Sequence, residues 1–301
     1  MTVQVTLPDG SIKSFDNAVN GFDIAKSIGS RLAKDAICLE IDNNFYDMTT
    51  IFESDISVRI VTNSDPDALH ILRHSSAHIL AQAVLNLYPD AKYGVGPSID
   101  NGFYYDFLFK EPLKESDLTD IEKEMINITK NAQNFTKSEI TKKDAKKLFK
   151  NQSFKIELIE SAESEEGVLD DVVTMYTNEK FSDLCRGPHI PNTNYLKHFK
   201  LTKLGGAYWR GDEGNPQLQR IYGTSWFSKK DLDAYLIQQE EAEKRDHRKI
   251  GNELNLFTTS NELGSGNFLW KPKGAILRDL IETYSKNAHL NNDYDLVNTP
   301  H

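Results

Sequence analysis

Two short runs, set far apart in the chain, constrain the fold more than any other feature: His74-Ser75-Ser76-Ala77-His78 and Cys185-Arg186-Gly187-Pro188-His189. On a helix, positions i and i+4 lie one turn apart on one face, so His74 and His78 can converge on one metal ion or one small substrate. Cys185 and His189 flank a Gly-Pro turn, so both can point into the same pocket from a loop. A fold that uses these residues must pack a helix against a distant loop. Together they offer four soft-to-borderline ligands, a set that zinc accepts. Two bland readings stand beside this one: His70, one turn further back, would make part of the pattern a surface stripe, and Cys185 would be a buried structural thiol. No Glu follows His74, so the His-Glu-x-x-His pattern of metalloproteases is absent. Asp183 and Lys155 are the acid–base candidates for a site built on this loop.

A chain of 301 residues exceeds one small domain and suggests two or three. With 39% hydrophobic and 27% charged residues it excludes collagenous, mucin-like and wholly disordered classes. No apolar run is long enough to cross a bilayer, and MTVQVTLPDG lacks the features of a signal peptide, so neither a membrane span nor secretion is expected. Only two cysteines, Cys38 and Cys185, point away from a disulfide framework and towards the cytoplasm. The net charge of −10 is unevenly spread. Residues 157–183 carry nine acids against one Lys, whereas residues 196–230 carry seven Lys or Arg against two acids, interleaved with Tyr208, Trp209, Tyr222 and Trp226. Cations that track phosphates beside rings that stack on bases suit an RNA-facing surface; a solvated basic face over an aromatic core is the plainer alternative.

Alternation at Val3, Val5 and Leu7, the Pro8-Asp9-Gly10 turn and an extended run over 11–15 predict a hairpin. A helix over 23–33 and strands over 36–41 and 56–61 complete the order of a β-grasp unit. A helix then starts near Asp67, capped by Ser64 or Asp65, and stops at Pro89. Asn101-Gly102 marks a hairpin within 94–109. Helices over 117–131 and 142–150, the second capped by Thr141, precede strands over 172–176 and 203–209. Residues 228–252 read as one long charged helix with Glu240/Lys244 and Glu241/Arg245 at i,i+4 spacing. An amphipathic helix around Ile276–Tyr284 and a short strand ending at Thr299-Pro300-His301 close the chain, the last unit reading as truncated.

The runs RHSSAHIL (73–80), GPSIDNGFYYDF (96–107), DLCRGPHIPNT (183–193), GAYWRGD (206–212), LQRIYGTSW (218–226), KRDHRKIG (244–251) and WKPKG (270–274) occur in this order. As a set they resemble the N-terminal portion of bacterial-type threonyl-tRNA synthetases. The His and Cys runs alone would also fit the alanyl-tRNA editing proteins. The β-grasp start and GAYWRGD tip the resemblance towards threonine.

The resemblance implies an α+β multidomain chain: a ubiquitin-like β-grasp (TGS) module at 1–62, an α+β editing domain with a His-bearing helix at 63–227, a linker helix at 228–252, and at 253–301 the truncated start of a class II antiparallel-sheet catalytic domain. It implies that the full-length protein joins threonine to tRNA(Thr) with ATP, Mg and one catalytic-domain zinc. It also implies that this portion hydrolyses mischarged Ser-tRNA(Thr). Carried onto this sequence, His74, His78, Asp183, Cys185, His189 and Lys155 would be catalytic, and Tyr105, Arg186 and Gly187 would bind substrate. No metal is required for editing on this reading; zinc at His74, His78, Cys185 and His189 is the alternative. After Gly251 there is one arginine, Arg278, and no cysteine, so this chain alone is expected to edit but not to make Thr-tRNA. Expected partners are tRNA(Thr), the esterified serine or threonine, and a second copy in a full-length homodimer. A stand-alone deacylase, a non-catalytic tRNA-binding module and a structural zinc domain are the competing readings.

Overall fold

The computed structural model describes residues 2–161, 168, 169, 171–260, 262, 264 and 267–298. They fall into two compact units divided between Leu232 and Asp233.

At the start of the first unit, Val3–Thr6 and Ile12–Phe15 pair antiparallel as expected, with Val3 and Val5 fully buried. The turn between them needs Gly10, whose φ of +81° few other residues adopt. The helix expected over 23–33 is instead two, Gly21–Ile28 and Ser30–Asp35, because Gly29 takes an extended backbone between them. The first is capped by Asn20, which accepts from the Asp23 amide at 3.0 Å. The strand Ala36–Ile41 turns back through Asp42 and Asn43, both at positive φ, into Asn44–Asp47. The strand expected over 56–61 splits at Val58: Ile56–Ser57 runs parallel to the first strand, and Arg59–Thr62 pairs antiparallel with Ala36–Ile41. This module faces two cores. Ala36 and Leu39 pack into its own apolar cluster, whereas Ile37, Cys38 and Val61 belong to the cluster of the region that follows.

That region is organised around the helix Pro66–Leu87, which starts with Pro at its first position. Asp65 precedes it without capping it; its carboxylate accepts instead from the Thr62 amide at 2.6 Å and Thr62 Oγ1 at 2.8 Å. The helix is wrapped rather than striped: Arg73, Ser75, Ser76, His78 and Gln82 are buried along with its apolar residues. Ser75 and Ser76 tolerate this because each hydroxyl donates to the carbonyl one turn back, Ile71 O at 2.8 Å and Leu72 O at 2.7 Å. One antiparallel sheet packs against it, in the order Ser98–Ile99, Gly102–Leu108, Gln217–Trp226, His198–Tyr208. Period-two alternation turns Phe103, Tyr105 and Phe107 inwards.

A second sheet joins Thr136–Thr141, Val172–Asn178 and Phe181–Leu184, and the last of these delivers the chain to Cys185. Helices Leu118–Lys130 and Lys142–Leu148 lie where the sequence predicts, with Thr141 Oγ1 accepting from the Asp144 amide at 3.1 Å. The helix Ser153–Glu160, which carries Lys155, and the strands Thr136–Thr141, Phe181–Leu184 and Gln217–Trp226 were not expected from the sequence.

The single helix expected over 228–252 is broken. Lys229–Lys244 ends, and Asp246 starts His247–Glu253 by accepting from the Arg248 amide at 2.8 Å while also clamping the Arg248 guanidinium. A hairpin of Phe257–Thr259 and Phe268–Trp270 leads into the helix Pro272–Leu290, on which Ile276, Leu280, Ile281 and Tyr284 are exposed. Residues 294–298 form no strand, and Thr299, Pro300 and His301 lie outside the described residues. Among the described residues no helix is long and apolar enough to cross a membrane.

Candidate hydrolytic site at the helix and loop junction

The structure brings both His/Cys runs to one place. The ligand-type atoms of His74, His78, Cys185 and His189 all lie within 4.8 Å of one another. His74 Nε2 stands 2.9 Å from Cys185 Sγ, which is 3.4 Å from His189 Nε2 and accepts from the Gly187 amide at 3.2 Å. The three imidazoles pack as a cluster, with His74 stacked on His189 at 4.6 Å and His78 edge-on to His189 at 4.4 Å. Phe135 covers the far face of His189 at 4.6 Å.

Ser75 fixes the His189 ring. Its single hydroxyl hydrogen goes to Ile71 O, so at 3.0 Å it accepts from His189 Nδ1, and the Ile190 amide donates to the same oxygen at 3.0 Å. The Nδ1–H tautomer leaves His189 Nε2 unprotonated towards Cys185. Burial holds all three rings neutral: His74 is lowered to about 4, helped by the charge of His70, and His78 and His189 are lowered well below the ordinary histidine value. An imidazole oriented through Nδ1 and kept neutral is a good metal ligand, so this donor set fits zinc.

Beside the cluster lies a buried ion pair. Lys155 Nζ is 2.5 Å from Asp183 Oδ1, and both side chains are almost wholly buried. Tyr105 donates to Asp183 Oδ2 and accepts from Lys155 Nζ at 3.2 Å, and the Leu184 amide donates to Asp183 Oδ1 at 2.8 Å. Burial pushes the Asp183 carboxyl above the usual range, against the opposing pull of the Lys155 ammonium.

A cavity of about 320 Å³ opens onto these groups. His70, His74 and His78 line one side, Asp183 to Gly187 another, and Gly96, Pro97 and Ser98 a third. His74, His78, Asp183, Cys185, Arg186 and Gly187 thus line the cavity. Lys155, Tyr105 and His189 are set behind its wall, so Lys155 and Tyr105 meet the cavity only through the carboxylate they hold. Gly96 is obligatory, since a Cβ there would lie 2.0 Å from the Tyr105 ring. Sequence reasoning missed Ser75, Phe135, Tyr176 and Asp47. Of these only Ser75 carried a signal, as a hydroxyl inside the His-x3-His run.

The basic and aromatic stretch divides. Trp209 is core and donates to Glu157 at 2.9 Å, as the plainer reading of that stretch holds. Tyr222 lies under Lys203 at 4.9 Å and Trp226 under Arg73 at 4.7 Å.

Residues 3–62 match the TGS domain, and residues 173–222 match the threonyl and alanyl tRNA synthetase second additional domain. Over 300 residues the chain is 47% identical to the threonine–tRNA ligase of Citrifermentans bemidjiense. It is 45% identical over 299 residues to that of Acidithiobacillus ferrooxidans, and 46% over 299 to that of Streptococcus pneumoniae. Each alignment covers 99% of this chain and 46% of the relative, so the chain spans about half the length of these proteins. The resemblance read from the motifs is therefore a similarity to threonine–tRNA ligases along essentially the whole chain.

Proposed function

We propose that residues 63–227 form an editing domain that hydrolyses the ester of Ser-tRNA(Thr), within a protein whose full-length form charges tRNA(Thr) with threonine. The observation that carries this reading is the convergence of His74, His78, Cys185 and His189 beside the buried Asp183–Lys155 pair at one cavity, with Asp183, Cys185 and His189 in the stretch similar to the synthetases' second additional domain.

The need for such a site is physical. A threonine pocket cannot strongly reject serine, because one missing methyl is worth only about 1–3 kcal/mol of discrimination. A second, smaller site that admits the seryl ester and excludes the threonyl one restores accuracy as a double sieve. In this cavity a water attacks the ester carbonyl carbon and gives its proton to the Asp183 carboxylate or to a neutral His74 or His78. The carbonyl carbon–ribose oxygen bond then breaks, and the proton passes to the ribose oxygen, releasing serine and tRNA. Lys155 acts from behind, holding Asp183 in place and offsetting negative charge. Arg186 and Gly187 at the rim contact the incoming aminoacyl end.

On this reading the hydrolysis needs no metal. Were zinc bound, His74, His78, Cys185 and His189 would hold it, and it would supply Lewis-acid polarisation. ATP, Mg and a further zinc belong to threonine activation in the full-length protein, as do a homodimer and a cytoplasmic location.

The test is His74→Ala in the purified chain. It should lower Ser-tRNA(Thr) hydrolysis by roughly 100-fold or more, the scale of a lost acid–base or orienting group. Unchanged hydrolysis would overturn the assignment.

A further inference from the structure

One carboxylate in contact with this site comes from outside the editing domain. Asp47 ends the strand Asn44–Asp47 of the N-terminal module, where it pairs with Cys38 and is 9% exposed. Its Oδ1 accepts from the His189 amide at 2.9 Å, and its Oδ2 accepts from the Tyr176 hydroxyl at 2.5 Å.

Both partners belong to the machinery that shapes the loop. Tyr176 packs edge-on to the His189 ring at 4.5 Å. It also lies directly beneath Gly187: a Cβ on that residue would fall 2.0 Å from the Tyr176 hydroxyl oxygen, and Gly187 holds a φ of +73° to pass over it. Asp47 therefore grips the loop twice, once at the His189 backbone and once through the ring on which Gly187 rests. The backbone of Asp47 is in turn held by the turn that follows, since its carbonyl accepts from the Thr50 amide at 3.0 Å. Phe45 of the same strand packs against the larger core, and Ile37, Cys38 and Val61 of the sheet it belongs to are buried in that core, so the strand that presents Asp47 is fixed to the editing region by packing.

We propose that Asp47 is a positioning residue for ester hydrolysis, through which the N-terminal module sets the conformation of the Cys185–His189 loop. The proposal rests on the editing function proposed above and adds a requirement: the module is part of the active centre's framework and not only a tRNA-binding appendage. Asp47 touches neither the cavity nor the reacting atoms, so its loss should slow the chemical step while sparing substrate binding.

The experiment is steady-state hydrolysis of Ser-tRNA(Thr) by the 301-residue chain and its variants. Asp47→Ala should lower kcat by about 10–100-fold, the penalty of a small misplacement in an active site, with KM within about threefold. Asp47→Asn should restore kcat to within about threefold of wild type, because its amide can still accept from His189 N and can donate to the Tyr176 oxygen. A kcat for Asp47→Ala equal to wild type overturns the proposal, and so does a rise in KM alone. If Asp47→Ala does not fold, Tyr176→Phe reads the same link, and its kcat must fall by at least about threefold to sustain it. Wild-type chain that hydrolyses nothing would instead refute the editing function. Amide hydrogen exchange at His189, which needs no substrate, then judges the contact: faster exchange in Asp47→Ala than in Asp47→Asn supports it, and equal rates reject it.

Discussion

Replacing Lys155 by Met removes the cation of a buried pair and leaves its anion behind. Lys155 and Asp183 are 0% and 2% exposed, with Nζ and Oδ1 2.5 Å apart. Breaking such a pair from one side costs about 3–5 kcal/mol, because the remaining charge stays buried without a partner. For a unit of this size that corresponds to a fall in Tm of roughly 6–20 °C. The pH dependence identifies the cause. Burial already raises the Asp183 carboxyl, and losing the ammonium that opposes this raises it further. In the window above the unfolded value, the folded variant then holds a proton that the unfolded chain has released, so its stability falls as pH rises. The deficit relative to wild type, measured by urea unfolding at each pH, should be several kcal/mol at pH 7.5 and clearly smaller at pH 5. A deficit below about 1 kcal/mol, or one equal at both pH values, would refute the reasoning that a buried charge is stranded.

Gly187→Ala should cost stability and hydrolysis together, by at least about 1 kcal/mol for the positive φ alone and more for the contact with Tyr176; thermal unfolding beside a deacylation assay reads both. Three buried imidazoles are held below the ordinary value by desolvation, so the unfolded chain binds more protons as pH drops below about 6.5, and stability should fall by about 2–4 kcal/mol between pH 6 and 5, Asp183 opposing the trend; stability that is flat or rising on acidification would contradict this. Since His74 is lowered to about 4, the pH profile of kcat/KM, corrected for spontaneous ester hydrolysis, should lack an inflection near 6.5. Excess chelator should leave the hydrolysis rate within about twofold, and a loss reversed by zinc would move the four ligands from a metal-free role to a metal site.

What the sequence could reveal depended on how local the signal was. The His-x3-His and Cys-x3-His runs declared themselves because each is a short-range pattern, and the first hairpin did so through alternation and its Gly10 turn. The helix Pro66–Leu87 was legible in extent but not in environment. Ser75, Ser76 and His78 are buried because sheet and loop cover the helix from several sides, which a local pattern does not reveal. Breaks at Gly29 and Asp246 depend on one residue's backbone or cap, which a periodic pattern overlooks. The helix carrying Lys155 was hidden in an acidic stretch that lacks a clear stripe, and Gln217–Trp226 was masked because burial along it does not alternate cleanly. Asp47 had no sequence signal at all. It matters only because its strand packs beside a loop more than a hundred residues away, with His189 separated from it by 142 positions.

The central claim is selective hydrolysis, and the direct measurement is the rate at which the purified chain deacylates Ser-tRNA(Thr) beside Thr-tRNA(Thr) under identical conditions. Rapid loss of serine with threonine retained is the predicted result. Equal rates for the two esters, or no hydrolysis of either, would contradict the account.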